Sequence, residues 1–160
     1  MECISVVFSR ESLFDEVAAR VAAAVTLSAG TAEMLLMGRE DYGRFVMLAD
    51  MADARMRGAL RHLHAESVHD GDCCDGGCCG VSGGVVVSGD AMVYRLELSH
   101  PLQRSMLPMA MERAFVLFVA QEWLRLRAVT VSLGVEEAWR EMRAIALMSR
   151  VPPRAPYSYC

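Results

Sequence analysis

Apolar and polar positions recur along this chain with two different periods, and the changes of period mark out its elements. Phe14, Val17, Val21 and Val25 stand at helical spacing, while Glu11, Glu16 and Arg20 fall largely off that line. Such a stripe predicts an amphipathic helix with one buried face. Ser9 or Ser12 supplies its N-cap, and Asp15 follows Ser12 in a near capping box. The helix is expected to run to about Leu27, where Ser28-Ala29-Gly30 stops it. Phe45, Leu48, Ala52, Met56, Leu60 and Leu63 form a second stripe, in a helix that starts near Arg39, after Gly38. Asp50, Asp53, Arg57 and Arg61 are expected on its solvated side, with Asp53 and Arg57 as a favourable i,i+4 pair. Gly43 and Gly58 each cost that helix about 1 kcal/mol of propensity. Ala32 to Met37 reads as a short helical turn.

The period then drops to two. Met92, Tyr94, Leu96 and Leu98 alternate with Val93, Arg95 and Glu97, which predicts a half-buried strand. Val85-Val86-Val87 is its expected partner and Ser88-Gly89-Asp90 the turn, so the pair reads as a β-hairpin. Pro101 opens a third helix to about Arg127, with Pro108 as an alternative N1 start. Met106, Met109, Ala110, Ala114, Leu117, Phe118, Gln121 and Leu124 are at helical spacing, and Phe115 and Trp123 widen the face. This is the most apolar helix, and it is expected at the centre of the core. Ser132-Leu133-Gly134 breaks it. A fourth helix, from about Val135 to Ser149, buries Ala138, Trp139, Met142, Ile145 and Met148. Pro152, Pro153 and Pro156 forbid further helix, leaving residues 151–160 as an extended tail. The expected fold is mainly α, a four-helix core with a central β-hairpin between helices 2 and 3, in one domain over residues 1–160.

Composition sharpens this picture at three points. Hydrophobic residues make up 54% and charged residues 22%, too apolar for disorder and slightly apolar for a free monomer, so a homo-oligomer is expected. All 16 basic residues are Arg, and the net charge of −4 argues against wrapping nucleic acid, which needs a clustered positive surface. The start, Met1-Glu2-Cys3-Ile4-Ser5-Val6-Val7-Phe8, lacks the basic region of a signal peptide, and no uncharged window is long enough to span a bilayer. A cytoplasmic protein is expected, with its six cysteines as thiols or ligands rather than disulfides.

The sharpest local feature is Cys73-Cys74-Asp75-Gly76-Gly77-Cys78-Cys79, within a flexible Cys/Gly-rich loop over residues 69–84. Cys73, Cys74, Cys78 and Cys79 are candidate metal ligands, with His62, His64 and His69 upstream, and thiolates and imidazoles suit zinc. The spacing offers no C-x2-C knuckle, however, and the bland alternative is a surface loop whose thiols oxidise or pick up metal. His62 and His64 stand two apart and do not share a helix face. Glu136 and Glu137 suit a helix N-terminus, and Glu97 and Glu122 stand alone, so no carboxylate pair suggests acid–base work. No nucleophile elbow, zinc-protease or P-loop pattern is present, and no enzyme activity is expected. Cys3 is a lone thiol expected in or near the core. The twelve methionines, with Met106, Met109 and Met111 clustered, suit either core filling or an adaptable binding face.

Three stretches carry a resemblance. They are Arg39 to Leu63, Tyr94-Arg95-Leu96-Glu97-Leu98-Ser99, and Met111 to Leu124 followed by Glu136-Glu137-Ala138-Trp139-Arg140-Glu141-Met142 and an Arg/Pro tail. The resemblance is one of element order and extends over about two-thirds of the chain, of which these stretches themselves are less than half. This order resembles small structural proteins of prophages in gut anaerobes, and is similar to head–tail connector or neck (head-completion) adaptors of tailed phages. The resemblance implies a virion assembly protein that forms rings, docks on portal or tail neighbours and catalyses nothing. It carries no functional residues over, and the Cys-rich loop departs from it. The contact elements expected on that reading are the hairpin, through Tyr94 and Leu96, and the tail, through Tyr157 and Tyr159. The alternative is a metal- or redox-responsive helical domain using the Cys73–Cys79 loop.

Overall fold

The computed structural model describes residues 2–28, 33–63 and 90–148. In chain order the elements are strand β1 (Glu2–Ser9), helix α1 (Arg10–Ser28), helix α2 (Tyr42–Ala59), strand β2 (Ala91–Leu98), helix α3 (Pro101–Leu126) and helix α4 (Val135–Ala146), with short 3-10 turns at Glu33–Leu35, Arg39–Asp41 and Arg61–Leu63. The described residues are mainly helical, with four helices and a small two-stranded sheet.

The helices form where the stripes place them. Val17 and Val21 of α1, and Phe45, Ala52 and Met56 of α2, are fully buried. The Ser12 N–H donates to Ser9 Oγ at 3.4 Å, so Ser9 rather than Ser12 caps α1. α3 begins at Pro101, and Pro108 lies inside the helix rather than at its start. His100 caps it: its Nδ1 accepts from the Leu102 N–H at 3.1 Å. α3 is the centre of the molecule, contacting α1, α2, α4 and both strands. Its buried line runs through Gln103, Leu107, Ala110, Met111, Ala114, Phe115 and Trp123, so the expected inward positions Met106 and Met109 are corrected to exposed ones. Leu102, Met106, Leu107, Pro108, Met109, Ala110 and Met111 are all apolar, which makes the phase of that first stretch ambiguous by periodicity alone.

Two devices end α3 and turn the chain into α4. The Ala128 N–H donates to Arg125 O and the Val129 N–H to Leu124 O, both at 3.0 Å, which is the Schellman pattern. Ala128 accordingly sits at φ 59°, the left-handed region usually given to glycine. Gly134 precedes α4 at φ 72°.

The sheet differs from expectation. β2 alternates as predicted, with Met92, Tyr94, Leu96 and Leu98 buried, but its partner is β1, antiparallel, with Glu2 opposite Leu98 and Ser9 opposite Ala91. The strands therefore flank helices 1 and 3 rather than forming a hairpin between helices 2 and 3. Val85-Val86-Val87 lies outside the described residues, as do the loop over 69–84 and the tail over 151–160. The reason is topological. A strand can be recognised from its own alternation, whereas its partner here lies about ninety positions away and leaves no local trace.

Candidate functional site

Two features of the described residues go beyond plain core packing: a polar network where α1, α2 and β2 meet, and an open groove along β1. The network starts at Arg10, the first residue of α1, whose Nη2 donates to Asp50 of α2 at 2.8 Å and whose backbone N–H donates to Asp90 O at 3.1 Å. The Tyr42 hydroxyl donates to both carboxylate oxygens of Asp90, at 3.1 and 3.0 Å. The Tyr94 hydroxyl donates to Asp53 Oδ1 at 2.5 Å, while Arg57 holds the other oxygen at 2.9 Å and lies over the Tyr94 ring. Burial, then the bond to Asp53, pushes the Tyr94 phenol far above the ordinary tyrosine range. Burial, then the bond to Asp90, also raises Tyr42. Both phenols are thus protonated donors throughout neutral pH. They tie the sheet to the helices and are poor candidates for a base or nucleophile.

At the N-terminus of α3 a buried Gln103 ties three segments together. Its Nε2 donates to Ile145 O, Ala146 O and Met148 O at 2.9–3.0 Å, at the C-terminal end of α4. Its Oε1 accepts from the Ser99 and His100 N–H groups at 3.0 Å. One amide side chain thus closes the N-terminus of α3 and the C-terminus of α4. Pro101 at N1 with Gln103 at N3 was the available sequence signal.

The groove is an open trough of about 530 Å³ lined by Glu2 to Phe8 of β1 and by Arg104, Pro108, Met109 and Glu112 of α3. Among the described residues the sheet has two strands, so one whole edge of β1 has no backbone partner. Val6 packs inward, while Cys3, Ser5 and Val7 are exposed. Cys3 is thus corrected from a core thiol to a surface one. Its register opposite Glu97 puts it on the face away from the helices.

The candidate contact residues Tyr94 and Leu96 are fully buried, on the core face of β2, and are corrected accordingly. Alternation shows which side chains share a face of a strand; it does not show that the face is covered from within the same chain. Tyr157 and Tyr159 lie outside the described residues, as do Cys73, Cys74, Cys78, Cys79, His64 and His69. His62 is described, with Nε2 3.4 Å from Ala146 O. Glu122, expected to stand alone, binds Arg125 at 2.7 Å. Asp53, expected in solvent, is partly buried by Tyr94 and Arg57. Among the described residues no three His, Cys, Asp or Glu side chains are grouped so as to hold a metal ion, and no helix is long and apolar enough to cross a membrane. What sequence reasoning missed is the edge of β1, whose signal was the uncharged, proline-free run Cys3 to Phe8. Compared with protein-family models, curated proteins and solved structures, the chain matches none.

Proposed function

We propose that this chain is a phage or prophage virion assembly protein, a head–tail connector or tail-completion subunit that works by oligomerising and docking on portal or tail neighbours. The observation that carries the assembly half of this reading is the set of large apolar side chains left outside a complete core. Met34, Met47, Met51, Met109, Leu126 and Leu147 are each more than half exposed. Methionine is flexible and polarisable, and suits a face that must adapt to a partner. The phage half rests on the resemblance of Arg39 to Leu63, Tyr94 to Ser99, Met111 to Leu124 and Glu136 to Met142 to prophage structural proteins. On this reading the chain is made in the cytoplasm and ends up in the particle, and its role requires no catalysis.

The alternative, a metal- or redox-responsive domain, rests on Cys73, Cys74, Cys78 and Cys79 with zinc as the candidate ion. Light scattering on a sizing column, with and without chelator and reductant, separates the two. A discrete oligomer that survives both treatments supports the assembly subunit. An oligomer that collapses on chelation, with stoichiometric zinc in the purified protein, supports the alternative. The phage reading is tested by mass spectrometry of particles induced from a strain carrying the gene: peptides of this chain are expected in them at a fixed ratio to the portal protein, and their absence contradicts it.

A further inference from the structure

We propose that the groove between the free edge of β1 and α3 receives β1 of a second copy of this chain, paired antiparallel about a two-fold axis into a continuous four-stranded sheet. The proposal rests on the reading of the chain as a self-associating subunit and names the surface that does it.

Four observations on β1 lead to it. About half of the N–H and C=O groups of an edge strand point away from its one partner and need another. Edge strands are normally guarded by a charge, a proline or a bulge. From Cys3 to Phe8 there is no charged residue and no proline, and the register with β2 runs unbroken from Glu2 to Ser9, so no bulge turns the edge aside. Next to that edge Val7 is 43% exposed and Met109 72%, beside Pro108 on the wall formed by α3. A two-stranded sheet is marginal by itself, and doubling it to four strands relieves that weakness.

The occupant follows from symmetry and charge. An edge strand laid antiparallel on its own copy satisfies both backbones at once, and a two-fold contact presents the same patch on each side. The charges of the groove are opposite and separated along α3. Arg104 is fixed at the Glu2 end by an ion pair of 2.7 Å. Glu112, eight residues on, lines the same groove and has no ion-pair partner among the described residues. Two-fold pairing turns the second groove end for end, so each Glu112 faces towards the Arg104 end of the other copy. A stable pair buries roughly 1,200 Å² or more, which two short strands do not supply alone; Pro108 and Met109 extend the contact along the helix.

The test is the solution mass of the full chain by light scattering, for the wild type and three variants whose helical circular dichroism is first shown to be unchanged. Val7→Lys puts charge on the open face of β1 beside its edge and Met109→Arg on the α3 wall of the groove, while Met47→Lys puts it on the outer face of α2. The wild type is expected as an even-numbered oligomer, with the mass falling to about half or lower in the first two variants and unchanged in Met47→Lys. An oligomer that persists in Val7→Lys and Met109→Arg but is lost in Met47→Lys overturns the edge pairing and leaves the self-associating reading intact. A wild-type monomer at every concentration overturns both. A monomer in which the Cys3 to Phe8 amides that point away from β2 resist hydrogen exchange at all dilutions shows the edge to be covered from within the chain, and likewise overturns the proposal.

Discussion

Two regions of this molecule, the packing of α3 on α4 and the sheet of β1 and β2, are finished to different degrees. Around α3 and α4, apolar side chains meet from both helices, and Gln103 satisfies helix ends and linker amides together. Around β1 and β2, one face of the sheet is buried and tied down by Tyr94, yet the outer edge of β1 has no strand partner among the described residues and lies beside exposed apolar side chains. Both ends draw on the same core, so the contrast is not one of hydrophobicity. It lies in the backbone: among the described residues the ends of α3 and α4 find partners within the chain, and the outer edge of β1 does not. Unsatisfied backbone is the currency of strand addition, which is why the sheet end is the end to look at for assembly.

Breaking the helical end should have the largest effect. Trp123→Ala removes a fully buried indole and its 3.0 Å hydrogen bond to Leu35 O, and is expected to destabilise the chain by about 3–5 kcal/mol in urea unfolding. Gln103→Leu keeps the volume but takes the acceptor from the Ser99 and His100 N–H groups and a donor from the Ala146 carbonyl, and should cost about 2–3 kcal/mol. At the sheet end, Tyr94→Phe removes one bond to a carboxylate and should cost about 1.5–3 kcal/mol.

The same substitution sharpens the comparison through pH. The folded-state pKa of Tyr94 lies above the unfolded value, so its contribution is fully present below the ordinary tyrosine range and is lost as pH rises above about 10. Wild-type stability should fall as unfolding melts are taken above that pH, and the fall should be shallower in Tyr94→Phe. The smallest effect is a gain. Ala128→Gly relieves a left-handed alanine at the end of α3 and should stabilise by about 0.5–1 kcal/mol, read as a higher melting temperature.

Much of the helical end was legible in the sequence because a helix is a local pattern. Val17, Val21, Phe45, Met56, Trp139 and Met142 could each be placed inward from spacing alone. The sheet end was not, because β1 contributes Val6, Val7 and Phe8 as an unbroken apolar run, and its pairing with β2 spans most of the chain. The start of α3 failed for a different reason. Met106 and Met109 compete in phase with Leu107 and Met111, and only packing against α1 and β1 decides between them. Of the candidate sites, the cysteine loop was conspicuous by composition and lies outside the described residues. The open edge needed topology to be seen, since a free edge is defined by what does not pair with it.

The most direct test of that division is hydrogen–deuterium exchange of the intact chain over a dilution series. Amides of α3 from Ala110 to Trp123 should stay protected at every concentration, because their protection comes from within the chain. Of the β1 amides from Cys3 to Phe8, those that point away from β2 should lose protection on dilution, as pairing with a second copy is released. If the β1 amides exchange at one rate across the whole series, the sheet end is not an assembly edge and the account is contradicted.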